Sequence, residues 1–339
     1  MDTEPRPLRV AYIGNFSAPH STENHIRRAL VHNGHGVIAL QENDVRSWSM
    51  IIDLIINSDV DLILWTRTGW DWHSVFGRPD SNEVAKDAQG QMLKLARRLN
   101  IPTVGYHLDI WFGLEREHLV NTERFFSCDV VITADGGHDE EFAGKGVEHV
   151  WFPPGVSLAE CQLGTRRDEF ASKLAFVGSH DGGYHKEHQH RHELVAWLKK
   201  NFRRDCVFYP QPGQHAVRGK DLQDLYASVD VVIGDSCFAG TGLANYWSDR
   251  IPETIGRGGF LLHPDVPGIE DHFVDGRHLE LWQAGNWDEL GNTIQLALDD
   301  PEHRQITSAL GRAHVLEYHT YEVRMKQLVD LLNERSLIS

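Results

Sequence analysis

Short apolar runs separated by amphipathic stretches recur along the whole chain, and this alternation limits the fold more than any other feature. In the first half the runs are RVAYIGNF, GVIAL, VDLILWTR, PTVGYHLD, DVVITAD and HVWFPPG. Between them, TENHIRRALVHNGH and NEVAKDAQGQMLKLARRLN carry apolar residues at helical spacing. Strands apolar on both faces and alternating with helices predict a parallel sheet covered on both sides. The second half repeats the pattern with KLAFVGS, CVFYP, DVVIGDS, GFLLHPD and LELW, and with helical patterns at about 189–203, 219–228, 287–299 and 301–317. The fold class read from this is α/β, two Rossmann-like doubly wound domains.

A chain of 339 residues exceeds the usual single-domain size, which agrees with two domains. The join is expected within FPPGVSLAECQLGTRRDEF, residues 152–170, where two prolines and two glycines interrupt the periodicity. Residues 1–155 then form the first domain and 156–318 the second. The closing helix, 319–339, with Val323, Leu328, Leu331 and Leu332 near one side, is expected to cross back onto the first.

Charge and cysteine usage narrow the function classes. With 49 acidic against 33 basic residues the net charge is −16, which argues against broad binding to duplex nucleic acid or an anionic membrane. Cys128, Cys161, Cys206 and Cys237 lie far apart without CxxC spacing, which reads as reduced thiols in a cytoplasm. The start, MDTEPRPLRVAYIG, has no basic segment followed by an apolar core, and no apolar run approaches a membrane span.

In open parallel sheets ligands bind beyond the carboxyl ends of the strands, so the residues that follow each strand are the candidates. Gly14 and Asn15 follow the first, with Ser21 or Thr22 able to cap the next helix; GxGxxG is absent, and a plain turn weighs as much as a ligand loop. The fourth strand delivers GYHLDIW, whose His107 and Asp109 alternate on one side and could serve as a general base or hold sugar hydroxyls. In FVGSHDGGYHKEHQHRHEL, the glycines 178, 182 and 183 permit a flexible loop, Ser179 adds a polar contact, and His180, Lys186 and Arg191 could meet phosphate oxygens. His185, His188, His190 and His192 invite a metal, but a solvated helix start weighs more, and no metal is read. Trp65, Trp70, Trp72 and Phe76 offer stacking surfaces, although tryptophan more often belongs to a core.

The stretch SDRIPETIGRGGFLLHPD, residues 248–265, predicts a helix capped by Ser248 or Asp249, with Pro252 and Glu253 in its first turn and a tight return at Gly258 and Gly259. Upstream lies the polar loop GDSCFAGTGLANYW, which contains Asn245 and Tyr246. Backbone amides, Arg250 and the helix dipole together suit a diphosphate, and the Glu253 carboxylate suits the vicinal hydroxyls of a ribose.

These residues carry a resemblance. Arg250 and Glu253, Gly258 through Leu262, Gly311 with Arg312, and His319 through Tyr321 resemble the carboxy-terminal half of CgeB-like, group 1 type glycosyltransferases. The segments CDVVITADGGHDEEFAGKGVEHVWFPPGVS, LAFVGS and GHGV are also similar to that family, so the resemblance spans most of the chain and is dense from about 225 onward. It implies a GT-B architecture, with the two domains facing across a cleft and a nucleoside diphosphate sugar held mainly by the second. It also implies a ribose contact from Glu253 and no obligatory cofactor or metal. The sequence departs from the pattern at Asn245, where many retaining relatives carry a second glutamate. Asparagine keeps hydrogen bonding and loses the charge.

The function read from the sequence is transfer of a sugar from a nucleoside diphosphate sugar to an acceptor hydroxyl in the cleft. Arg250 would stabilise the leaving diphosphate, and Asp109 or His107 would act as base if the reaction inverts. The donor contacts expected are Gly14, Asn15, Gly178, Ser179, His180, Lys186, Arg191, Asn245, Tyr246, Arg250 and Glu253. The acceptor is left open among a glycan, a protein, a small molecule and a modified nucleic acid, as is the oligomeric state. The alternatives are a non-catalytic nucleotide-sugar-binding protein and a nucleotide-sugar epimerase of the same architecture.

Overall fold

The structure, a computed structural model, describes residues 6–42, 45–67, 81–180 and 189–338, with the side chains of 45–49, 81–85 and 189 outside the description. It divides into two compact units, Met1–Phe152 with Tyr321–Ser339, and Pro153–Thr320.

In the first unit the strands are β1 (Arg9–Gly14), β2 (Gly36–Gln41), β3 (Leu62–Trp65), β4 (Thr103–Tyr106), β5 (Val130–Thr133) and β6 (His149–Trp151). They form one sheet in the order β2-β1-β3-β4-β5-β6, every neighbouring pair parallel. Alternation along β1 separates two cores: Val10 and Tyr12 join one, Ala11 and Ile13 the other. Helix α1 (Thr22–His32) and the final helix α10 (Tyr321–Glu334) cover the first face, while α2 (Val45–Asn57) and α3 (Ser81–Leu99) cover the second. Ser21 caps α1 by accepting from the Asn24 amide at 3.3 Å. Met325, Leu328 and Leu332 of α10 are fully buried against Ile26, Ala29 and Leu30 of α1, each contributing about 1.5–3 kcal/mol of gross burial free energy. Helix α2 was not among the amphipathic stretches expected above; its buried Ile51 and Ile55 show the i, i+4 spacing that marks it.

The second unit has β7 (Ser172–Val177), β8 (Cys206–Tyr209), β9 (Val229–Ile233), β10 (Leu261–Pro264) and β11 (Glu280–Trp282), in the order β11-β10-β9-β7-β8 and again all parallel. Its helices are α5 (Gln189–Asn201), α6 (Gly219–Ser228), α7 (Arg250–Gly256), α8 (Trp287–Asp299) and α9 (Pro301–Tyr318), with a short α4 (Asp139–Gly144) in the first unit. Sequence chemistry sets the helix starts. Asn286 accepts from the Glu289 amide at 3.2 Å while its own amide donates to Glu289, and Asp300 accepts from His303 ahead of Pro301. The strand order reverses between β7 and β9, because the chain steps outward from β7 to β8 and returns to the other side of β7 for β9. That reversal is where an open sheet leaves a crevice.

One expectation is corrected here. Trp65 is not a stacking surface: it is 1 % exposed in the core, and its indole N–H donates to Glu42 at 2.8 Å. Trp70, Trp72 and Phe76 lie outside the described residues. All four cysteines are buried, and burial pushes the Cys128 and Cys206 thiols up to about 12, so neither is a nucleophile near neutral pH.

Candidate functional site

A pocket of about 360 Å³ sits in that crevice of the second unit. Its floor is the carboxyl ends of the two strands that flank the reversal, Phe176 to Ser179 at the end of β7 and Ile233 to Asp235 at the end of β9. One wall is Tyr246 with Ser248, Asp249 and Arg250 at the start of α7, and another is Arg191 from α5. Elements distant in sequence therefore converge on one spot because a parallel sheet collects all its strand ends on one edge.

Asp235 organises this pocket, and sequence reasoning missed it. Its carboxylate is 4 % exposed and accepts from Arg191 Nε at 2.8 Å while lying 2.8 Å from His190 Nδ1. Burial opposes ionisation of Asp235, yet the hydrogen bond from His190 and the charge of Arg191 hold its carboxyl below the usual range. Arg191 Nη1 reaches the Ser179 carbonyl at 3.4 Å, and its Nη2 has no acceptor among the described residues. The guanidinium is thus fixed at the pocket wall with a donor to offer. The available signal was a carboxylate directly after the apolar run DVVIG, at a strand end.

The His190 ring also stacks on Trp287, 5.7 Å between centroids, which holds its Nδ1 toward Asp235. This places His190 as a structural partner of the pocket; His185 and His188 lie outside the described residues. Below the floor, His263 is fully buried, and burial lowers its imidazole to about 4, so it is neutral at physiological pH. A Cβ on Gly234 would meet His263 Cδ2 at 2.8 Å, which is why the strand end that bears Asp235 begins with glycine.

The 248–265 stretch folds largely as its residues dictate, with two differences. Ser248, not Asp249, supplies the cap, its hydroxyl accepting from the Arg250 amide at 3.3 Å, while Asp249 makes no side-chain cap. Helix α7 runs only seven residues, so the charge at the pocket comes from the Arg250 side chain and not from a helix dipole. Arg250 Nη1 donates to Glu253, three residues along the same helix. Glu253 lies behind Arg250 and is not among the pocket-lining residues. Gly258 ends the helix with φ +83°, its amide donating to the Ile255 carbonyl at 2.8 Å, and Gly259 closes onto Thr254. A Cβ on Gly258 would stand 2.7 Å from Leu163 Cδ2, so both its conformation and its neighbour require glycine.

Of the other expected contacts, Gly178, Ser179 and Tyr246 line the pocket. His180 does not: its Nε2 lies 2.9 Å from the Pro210 carbonyl, with its ring near Phe208. Asn245 does not either. It adopts φ +58°, its amide donates to the Pro267 carbonyl at 2.7 Å, and its side chain packs over Gly268. Its role here is to shape a loop. Lys186 lies outside the described residues.

In the first unit, Gly14 lies against the buried side chain of Glu23, 2.9 Å from where its Cβ would be, and Asn15 Oδ1 accepts from the Ser17 amide and from Gln41 Nε2. Both residues build the β1 loop. His107 and Asp109 do not point together. His107 is buried beside Trp111 and Phe125, its Nδ1 accepts from the Asp109 amide at 3.2 Å, and burial lowers it to about 4. Asp109 instead is 43 % exposed, with Arg116 at 3.5 Å. A buried Asp135 fixes this loop by accepting from the Trp111 and Phe112 amides at 2.6 and 2.9 Å.

The chain is similar to known proteins in part of its sequence and in its fold. Residues 165–330 match the family described as glycosyl transferase-like. Among curated proteins no sequence matches the chain. Sucrose-phosphate synthase from Thermosynechococcus elongatus superposes with a TM-score of 0.62 at 12 % identity, covering 97 % of this chain and 100 % of its own. Anabaena HepE in complex with UDP and glucose gives 0.57 at 12 % identity, covering 96 % and 100 %. A glycosyltransferase from Rickettsia africae gives 0.59 at 10 % identity, covering 97 % and 99 %. At these identities the likeness shows the fold, which is GT-B, as read from the sequence. The narrower CgeB-like grouping has no such support.

Proposed function

We propose that the protein is a glycosyltransferase that moves a sugar from a nucleoside diphosphate sugar to an acceptor hydroxyl, with the donor nucleotide in the pocket at the β7/β9 reversal. The observation that carries this reading is the convergence of Arg191 and Arg250 on that pocket. Fixed guanidinium groups suit the oxygens of a diphosphate, where bidentate donation combines charge with geometry. Preorganised charge of this kind stabilises a leaving diphosphate as negative charge develops on it. The glycosyl transferase-like match over 165–330 includes both arginines.

Asp235 is the positioning residue for Arg191, and Glu253 is positioned to do the same for Arg250. Glu253 turns from Arg250 to the ribose hydroxyls when the nucleotide binds. Uridine is the base to test first, because HepE, of the same fold, is described with UDP and with UDP-glucose. If the anomeric centre inverts, the proton acceptor is Asp109, the exposed member of the His107/Asp109 pair; a retaining course needs none. Proton resonances of the anomeric centre in the product distinguish the two.

The test is a thermal-shift titration with UDP, GDP, TDP, ADP and CDP on the wild type, Glu253→Ala and Arg250→Ala. One nucleotide is expected to raise the melting temperature selectively, and both substitutions to reduce the rise. Comparing that nucleotide with its 2′-deoxy form separates the roles of Glu253: a ribose contact makes Glu253→Ala insensitive to the missing hydroxyl. No shift with any nucleotide would remove the donor-site assignment.

A further inference from the structure

We propose that the second unit carries another small-molecule site, for a phosphate-bearing anion, at the edge of its sheet opposite the pocket described above. A cavity of about 450 Å³ opens where β9 and β10 begin, a volume within the range of ligand pockets. Asp230 and Phe260 mark the strand starts, and α9 forms a wall. The wall residues Pro301, Arg304, Gln305, Ser308, Ala309 and Arg312 recur at the spacing of one helical face.

Three arginines, Arg166, Arg304 and Arg312, line this space against one carboxylate, Asp230, in a chain whose net charge is −16. Arg304 is engaged by the protein: it donates to the Ala297 and Leu298 carbonyls and lies 3.8 Å from Asp230. Arg312 is only partly engaged, giving Nη2 to the Cys161 carbonyl at 2.8 Å and nothing else among the described residues. Arg166 is exposed and makes no hydrogen bond or ion pair among the described residues, whereas its neighbour Arg167 is held by Asp221, Asp224 and Glu169. Two guanidinium groups with donors to spare thus share a concavity with a third cation. A tetrahedral anion with several acceptor oxygens answers that geometry.

The remaining lining gives the rest of the ligand its character. Leu163, Tyr226 and Phe260 offer apolar surface beside the arginines, so the occupant is a phosphate ester with a compact organic group. Gly258, left-handed at φ +83°, is what lets Leu163 close in at the rim, since a Cβ there would lie 2.7 Å from its Cδ2. Both pockets touch β9, one at Asp230 and the other at Ile233, so the two ligands would lie at opposite ends of one strand.

The experiment is calorimetric titration of the full chain with inorganic phosphate, glucose 6-phosphate and glucose, on the wild type and on Arg250→Ala. The phosphate ester is expected to bind both proteins and glucose neither. Arg166→Glu, an exposed substitution, should weaken the ester by about tenfold or more, and Asp230→Asn should tighten it several-fold by removing the one opposing charge. Misfolding cannot produce these opposite responses together. Equal affinity for inorganic phosphate and the ester would support the anion site and identify free phosphate as its occupant. The proposal is overturned by no phosphate binding up to about 10 mM, by loss of binding in Arg250→Ala, or by affinity unchanged in Arg166→Glu and Asp230→Asn.

Discussion

Replacing Asp235 with asparagine tests the core of the pocket proposed to hold the donor, because the side chain keeps its shape and loses only its charge. In the native structure one carboxylate oxygen accepts from Arg191 Nε and the other meets His190 Nδ1, both at 2.8 Å and nearly free of solvent. Asparagine can still accept from Arg191, but its amide then faces His190, which must present an unprotonated Nδ1 and shift its proton to Nε2. His190 Nε2 is itself buried without a partner, so the shift strands a donor. Removing one member of a buried pair costs about 3–5 kcal/mol, and the retained hydrogen bond returns about 1–2, leaving a destabilisation of about 1–4 kcal/mol. For a unit of this size that lowers the melting temperature by about 2–16 °C. Because Asp235 has a lowered pKa in the folded protein, its contribution is present above the ordinary carboxylate range and is lost as pH falls through the folded value. The difference between wild type and Asp235→Asn is therefore flat from pH 5 upward and shrinks in strong acid. Nucleotide binding carries a second signature: freeing Arg191 adds an ordering cost of about 0.5–1.5 kcal/mol, a weakening of about 2- to 12-fold. Differential scanning fluorimetry against pH, with nucleotide titrations at neutral pH, reads both quantities. A melting temperature within 1 °C of wild type together with unchanged nucleotide affinity would refute the claim that Asp235 holds Arg191 in place.

Gly258→Ala should destabilise the second unit by about 1–2 kcal/mol through its left-handed backbone and the encroachment on Leu163; urea unfolding measures it, and a neutral effect contradicts the geometry. His107 and His263 are both lowered to about 4, so as pH falls below about 6.5 the unfolded chain takes up protons that the folded protein refuses. Stability should decline between pH 6.5 and 4 by up to about 3 kcal/mol per histidine, and denaturation midpoints that rise toward pH 5 would contradict their burial. Asp109→Ala should reduce transfer by about a hundredfold or more while leaving donor affinity unchanged if the reaction inverts; undiminished transfer removes Asp109 from the mechanism.

Much of the architecture was legible because a parallel α/β sheet writes itself into sequence as apolar runs. Every expected strand forms, and the helices expected at 219–228 and 287–299 have those bounds. The turn chemistry was also readable: Gly258 and Gly259 reverse the chain where the sequence placed them, and Asp300 with Pro301 starts a helix. Arg191, Arg250, Tyr246, Gly178 and Ser179 were expected at the site and line it. Their place on the pocket was legible because position relative to a strand end is a local property.

What failed depended on direction and depth, which local pattern does not encode. His107 and Asp109 share the alternation of a strand, but the chain leaves the sheet after Tyr106, so one side chain turns into the core and the other to solvent. Asn245 sits in the right loop and faces Gly268 instead of the pocket. Trp65 follows the rule for tryptophan and is core. Asp235 follows an apolar run without any local mark of its role, since its importance lies in Arg191, 44 residues away in sequence and 2.8 Å away in space. The sequence alone determined the class of fold, the positions of the strand ends and the polar residues that follow them. Only the tertiary structure decided which of those residues meet, because strand order, and hence the crevice at the β7/β9 reversal, arises from long-range packing between elements and not from any one of them.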